Sequence, residues 1–259
     1  MLFYNGLAAC FRTLVLVLLT LLPALPALAR EAPRLADVDA LLQSPSLDFQ
    51  QIQKARSLCE ELLAAAPNPA PPALVARLTR VIFIQGNLAP KSQQERYYRE
   101  GLTWSERLVK EQPDQVAGHY WKALHLCGLA DVGGSVQGFK LLPRIFEELK
   151  SAVAMDATYD QAGPHRVLGR IYFEAPGWPM SVGDNKKSLE HLKAAVRLAP
   201  DNSTNHLYLA EILLRLKESA QARQELERVL TATRHATQPQ GLKEDQQEAR
   251  KLLAKLESG

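Results

Sequence analysis

Three histidines stand at one equivalent place in successive stretches of the chain. His119, His165 and His206 each precede a small residue, Ala123, Gly169 or Ala210, by four positions. Imidazoles on stacked helices about 10 Å apart could share a divalent metal with an open position. The competing reading is packing, an aromatic-sized side chain filling a helix seam, and it is the expectation; no metal or cofactor is assigned. Arg166 and Arg170 are a second candidate group, four residues apart and so on one helix face. Two guanidiniums beside an apolar strip suit an amphiphilic carboxylate or a peptide terminus. The bland alternative pairs them with Glu211. Gly133, Gly134 and Gly138 resemble a phosphate cradle only superficially, because no strand precedes them and no Gly-Lys-Ser/Thr follows.

Other reaction chemistry is missing from the sequence. There is no Gly-x-Ser-x-Gly and no His-Glu-x-x-His. Glu60-Glu61 and Glu147-Glu148 are adjacent carboxylates, which on a helix point to different faces rather than forming an acid–base pair. The chain is expected not to be an enzyme. Its 31 Lys+Arg against 28 Asp+Glu give a net charge of +3, too little to attract a phosphate backbone, so nucleic acid is not an expected partner. At 46% hydrophobic and 23% charged over 259 residues, the composition is globular.

The elements that must position these residues are helices. Apolar residues recur at i, i+3, i+4 almost throughout, cut by proline, glycine and asparagine. The interruptions themselves recur: Ala66-Pro67-Asn68, Gln112-Pro113-Asp114, Asp156-Ala157-Thr158 and Ala199-Pro200-Asp201 are spaced by 46, 44 and 43 residues. Such regularity predicts a solenoid whose units cannot bury their own faces. Leu168-Gly169-Arg170-Ile171-Tyr172 matches the first helix of a tetratricopeptide repeat, with Ser188, Leu192, Ala195 and Pro200 at second-helix positions. The predicted fold is all-α, a tetratricopeptide-like solenoid of about five helical hairpins and a capping helix over Leu242–Leu256. Weaker copies are Ala55, Cys59, Leu62; Gly101, Ser105, Leu108; and Leu149, Ala152. Two insertions, residues 131–138 and 175–184, are expected as irregular connections within hairpins, with Asp184 capping the helix that follows. Trp178 and Met180 are expected to fold back over helix ends, an exposed tip being the alternative.

In such a solenoid the first helices line a concave face. The register places Tyr120, Leu124 and Cys127, then Arg166, Arg170 and Phe173, then Leu207, Glu211 and Leu214 toward it as the candidate ligand- and partner-binding set. Residues 1–29 read as a cleavable export signal: Arg12, an apolar run over Thr13–Leu22, and Ala27-Leu28-Ala29 before the cut at Arg30. Residues 30–259 are then one exported solenoid domain, and the expected location is the periplasm. Cys10 precedes the apolar run, so no lipid anchor is expected there. Cys59 and Cys127 are expected as buried free thiols.

Five segments resemble a known family. They are Tyr120-Trp121-x-Ala123-Leu124, Gly163-Pro164-x-x-x-Leu168-Gly169-x-x-Tyr172, Ala175-Pro176-Gly177-Trp178-Pro179-x-Ser181-x-Gly183-Asp184, Ala194-Ala195-Val196-x-Leu198-Ala199-Pro200-Asp201-Asn202 and His206-x-x-Leu209-Ala210-Glu211. Together they are similar to the TatT family, the tetratricopeptide component associated with tripartite ATP-independent periplasmic (TRAP) transporters. The likeness covers about residues 115–230, and the Pro-Gly-x-Pro…Gly-Asp insertion is its most specific part. It implies a periplasmic helical protein that docks a solute-binding protein, with a channel for a hydrophobic ligand. Members are often lipoproteins, and this chain departs from them there. A general periplasmic scaffold for peptides or envelope proteins is the alternative implied by the fold.

Overall fold

The computed structural model describes residues 28–44, 47–235 and 241–258. The expected export signal therefore lies almost wholly outside the described residues. Among the described residues ten helices follow one another: α1 Leu28–Leu42, α2 Phe49–Ala65, α3 Pro72–Leu88, α4 Lys91–Glu111, α5 Val116–Met155, α6 Tyr159–Glu174, α7 Asn185–Leu198, α8 Ser203–Arg215, α9 Ser219–Thr231 and α10 Gly241–Ser258. Each packs on its sequence neighbours. Contacts that skip one helix join α1 with α3, α3 with α5, α6 with α8, and α8 with α10. That alternation is the stacking of a helical-hairpin solenoid.

The hairpins are α1/α2, α3/α4, the two halves of α5, α6/α7 and α8/α9, with α10 closing the far end. The all-α helical-hairpin solenoid is as the punctuation predicts. Several helix starts have a proline or a side-chain cap as their reason. The Asp48 carboxylate accepts from Gln51 N at the start of α2, and Pro72 opens α3. Asp184 accepts from Lys186 N and Lys187 N at the start of α7, and Asn202 accepts from Asn205 N at the start of α8.

Insertion 131–138 is not the irregular connection expected. Helical geometry runs through it except at Gly134, where φ is 70° and ψ −170°. Only glycine adopts that conformation without strain, so one residue turns the chain and helix resumes on both sides. Insertion 175–184 is irregular, but it is closed. Gly183 N donates to Pro176 O at 2.8 Å, Met180 N to Gly177 O at 3.1 Å, and Asp184 N to Tyr172 O at 3.0 Å.

The core runs along the stack in four linked clusters. Val38, Ile52, Cys59, Leu78 and Ile82 fill the first hairpins; Tyr120, Trp121, Leu126, Leu149 and Leu168 the middle; Leu192, Leu209 and Leu213 the next; Leu207, Leu226, Val229 and Ala249 the end. Each fully buried leucine or isoleucine stabilises by about 1.5–3 kcal/mol. The small residues at the seam permit close approach: a Cβ on Gly169 would stand 2.5 Å from Leu192 Cγ.

Candidate functional site: the insertion cleft

Much of the anticipated concave set is buried. Tyr120, Leu124 and Leu207 belong to the core, and Arg166 is only 4% exposed. For Arg166 the cause is the start of α6. Asp160, Gln161 and Ala162 take left-handed conformations, with φ of 48°, 58° and 62°, before regular helix begins. This turn points carbonyls and a carboxylate inward. Arg166 Nη1 donates to Gln161 O at 3.1 Å and Nη2 to Asp160 Oδ2 at 3.1 Å, while Asn205 Nδ2 donates to Gln161 O at 3.2 Å. Arg166 thus holds a strained turn together in the interior rather than facing an open concave surface.

Arg170 does lie at the surface, with Phe173, Glu211 and Leu214 partly exposed around it. Its guanidinium bonds Glu211 and also Glu174, the latter at 2.6 Å. It stacks over Phe173 at 5.1 Å and Tyr208 at 4.4 Å, and Arg215 also stands over Phe173, at 3.4 Å. Arg170 and Glu211 therefore meet as the interhelical ion pair that sequence offered as the alternative. The pair Arg166/Arg170 is divided between interior and surface.

Each histidine of the repeating position is engaged within its own hairpin. His119 pairs through Nδ1 with Glu148 at 2.6 Å and through Nε2 with Pro113 O at 2.9 Å. His206 repeats this with Glu225 at 2.5 Å and Pro200 O at 2.7 Å. His165 meets His191 instead, Nδ1 to Nδ1 at 2.9 Å. The three imidazoles are seam residues pinned to second helices, not one shared ligand set. Glu148 is buried and takes both His119 and Lys122, whereas Glu147 is exposed, so the adjacent carboxylates do face apart.

The open surface lies elsewhere, between the two insertions. Trp178 is 89% exposed and Met180 73%, so they do not fold back over helix ends. The closed loop leaves no room for that: a Cβ on Gly183 would collide with Ala175 O, so the two arms of the loop touch backbone to backbone and hold the tip outward. Behind the tip is a cleft of about 840 Å³ with Phe139, Leu142, Phe146, Tyr172 and Val182 on its apolar floor and Trp178 at its edge. A second hollow of about 320 Å³ adjoins it, sharing Phe139, Leu142 and Ser181 and adding Cys127 and Ile171. Lys150 stands 6.0 Å over the Phe146 ring and Lys187 5.4 Å over Tyr172, so two ammonium groups line the rim on aromatic faces. Glu147 and Asp184 are the acidic members of the lining. Volume and lining fall in the range that holds small ligands or inserted side chains.

Of the anticipated residues, only Cys127 reaches this region. It is partly exposed rather than buried as expected, and desolvation of its thiol pushes it up to about 12, which disfavours the reactive thiolate. Sequence reasoning missed Phe139, Phe146, Tyr172, Lys150 and Lys187. All but Tyr172 lie on second helices or insertions, away from the first-helix face that the repeat register selects, and Tyr172 sits on the first helix α6 but outside the selected set. The Trp178-Pro179-Met180 segment was the available signal.

Comparisons with known proteins agree with this architecture. The tetratricopeptide repeat family matches residues 180–256, which take in the end of the second insertion and α7–α10. Among solved structures, the chain is similar to TTC0263, a thermophilic tetratricopeptide protein in Thermus thermophilus. That likeness has 21% identity, covers 85% of this chain and 98% of the other, and has a TM-score of 0.61. The MamA RS-1 ArsTM double mutant is also similar, at 18% identity over 70% of this chain and 84% of the other, with a TM-score of 0.45. No curated protein matches the sequence. The chain is an all-α solenoid of the tetratricopeptide type.

Proposed function

We propose that this is an exported docking protein, a TatT-like accessory of TRAP-type solute uptake that engages a periplasmic solute-binding protein through the insertion cleft. The observation that carries the docking reading is the exposed Trp178–Met180 tip beside an apolar cleft. Large exposed aromatics next to a pocket are what interface hot spots consist of, because covering them removes much apolar area at small entropic cost. The lysine rim over an apolar floor also suits a small hydrophobic acid, matching the ligand channel that the resemblance implies. The choice of partner rests on the resemblance, whose most specific segment is the loop that builds the tip.

Crosslinked pull-down from the native cell envelope tests this, with Trp178→Ala alongside. Recovery of a TRAP-type solute-binding protein, reduced by the substitution, supports the reading. Recovery of envelope-assembly or secreted proteins instead favours a general periplasmic scaffold.

A further inference from the structure

The repeating histidine position carries an internal contrast. In two hairpins the first-helix histidine faces a carboxylate, Glu148 or Glu225, and a proline carbonyl, so both ring nitrogens point at oxygen acceptors. In the hairpin between them the facing residue is a second imidazole. Two Nδ1 atoms in contact can share only one hydrogen, so at least one presents a lone pair. This is an imidazole–imidazole pair where the neighbours have imidazole–carboxylate pairs.

The geometry suits one class of ion. A metal about 2.1 Å from each of two imidazole nitrogens holds them about 3.0 Å apart at a right angle and about 3.4 Å apart at a tetrahedral angle. The observed separation is 2.9 Å. Right-angled imidazole pairs belong to tetragonal Cu²⁺ and Ni²⁺ centres. The His191 ring is held in place by stacking on Tyr172, 5.7 Å between centroids at 16°, so one ligand is preorganised. Both histidines are partly exposed, which leaves a path for the ion and for waters.

Electrostatics at the pair are mixed. Burial keeps both imidazoles below the ordinary histidine value, helped by Arg197 at His165 and by His165 and then Lys187 at His191. Glu190 acts on both in the opposite direction and favours positive charge between them. Among the described residues no group of three His, Cys, Asp or Glu side chains is poised around one point. Solvent must then complete the coordination, which limits affinity and keeps the ion exchangeable.

We propose that His165 and His191 form a two-imidazole site for a tetragonal divalent transition metal, Cu²⁺ or Ni²⁺, on the α6/α7 hairpin. The test is Cu²⁺ titration of tag-free full-length protein, read by calorimetry and by electron paramagnetic resonance. The expected result is one saturable equivalent with hyperfine coupling to two imidazole nitrogens. His165→Ala removes that signal, and His191→Gln, which keeps a hydrogen-bond partner for His165 and so preserves the hairpin, weakens Cu²⁺ binding at least tenfold with an unchanged helical spectrum. No saturable binding by the native protein overturns the proposal. So does an equivalent whose affinity and hyperfine pattern survive His191→Gln.

Discussion

The Tyr120 hydroxyl donates to Asp160 Oδ2 at 2.6 Å across 40 residues of chain, and Arg166 Nη2 donates to the same hydroxyl at 3.2 Å. One buried triad therefore ties the middle hairpin to the turn that starts the next. Removing Arg166 leaves Asp160 as an uncompensated buried charge and frees the left-handed turn. Arg166→Ala should cost about 3–5 kcal/mol. Tyr120→Phe, which deletes only the hydroxyl, should cost about 1–3 kcal/mol. Urea unfolding followed by circular dichroism measures both, and a loss below about 1 kcal/mol for Arg166→Ala would contradict its structural role.

Arg170 offers the contrast, four residues on and partly open to solvent. Its Glu211 and Glu174 pairs are screened, so Arg170→Ala should cost only about 1 kcal/mol. The same unfolding assay separates the two arginines. An equal loss for both would mean that Arg170 is buried in solution.

His125 gives the fold a pH dependence. It is fully buried against Phe83 and Tyr98, with Nε2 on Thr79 O at 3.2 Å, and burial lowers it to about 3. Its folded value lies below the unfolded one of about 6.5, so the unfolded chain takes up the proton first. Stability is whole above about pH 6.5 and falls as the pH drops toward 3, by about 1.4 kcal/mol per unit from this one group. His125→Phe should flatten the curve by that slope. Unfolding free energies at pH 7, 6 and 5 for both proteins provide the check, and parallel curves would refute it.

Cys59 and Cys127 should resist thiol reagents while the protein is folded. Both are free, and burial pushes each to about 12, so almost no thiolate is present at neutral pH. Labelling should be slow in buffer and fast in denaturant. Fast native labelling of Cys59, the fully buried one, would show local opening of its hairpin.

Trp178→Ala and Met180→Ala should leave stability within about 0.5 kcal/mol, since both side chains are in solvent. Loss at a hot-spot position is about 2 kcal/mol or more, roughly thirtyfold in affinity for the partner recovered from the envelope. Thermal unfolding and surface binding measured side by side test the claim. Gly183→Ala should lower both together, because its Cβ would collide with the Ala175 and Pro176 carbonyls and open the loop.

The sequence by itself determined the helices, their punctuation and the stacking of hairpins. Apolar spacing, proline breaks and caps such as Asp184 and Asn202 act within a few residues, and the 43- to 46-residue rhythm needs only the chain itself to be seen. Tertiary structure decided which of those residues face solvent. Arg166 and Arg170 look alike in sequence, yet the left-handed turn at Asp160–Ala162 takes one inside and leaves the other on Glu211. His165 matches His119 and His206 by position, and only the packing of α6 on α7 shows that its partner is His191 and not a carboxylate. Trp178 is apolar, and composition alone would bury it. The backbone contact between Gly183 and the Ala175–Pro176 arm closes its loop and leaves the tip exposed.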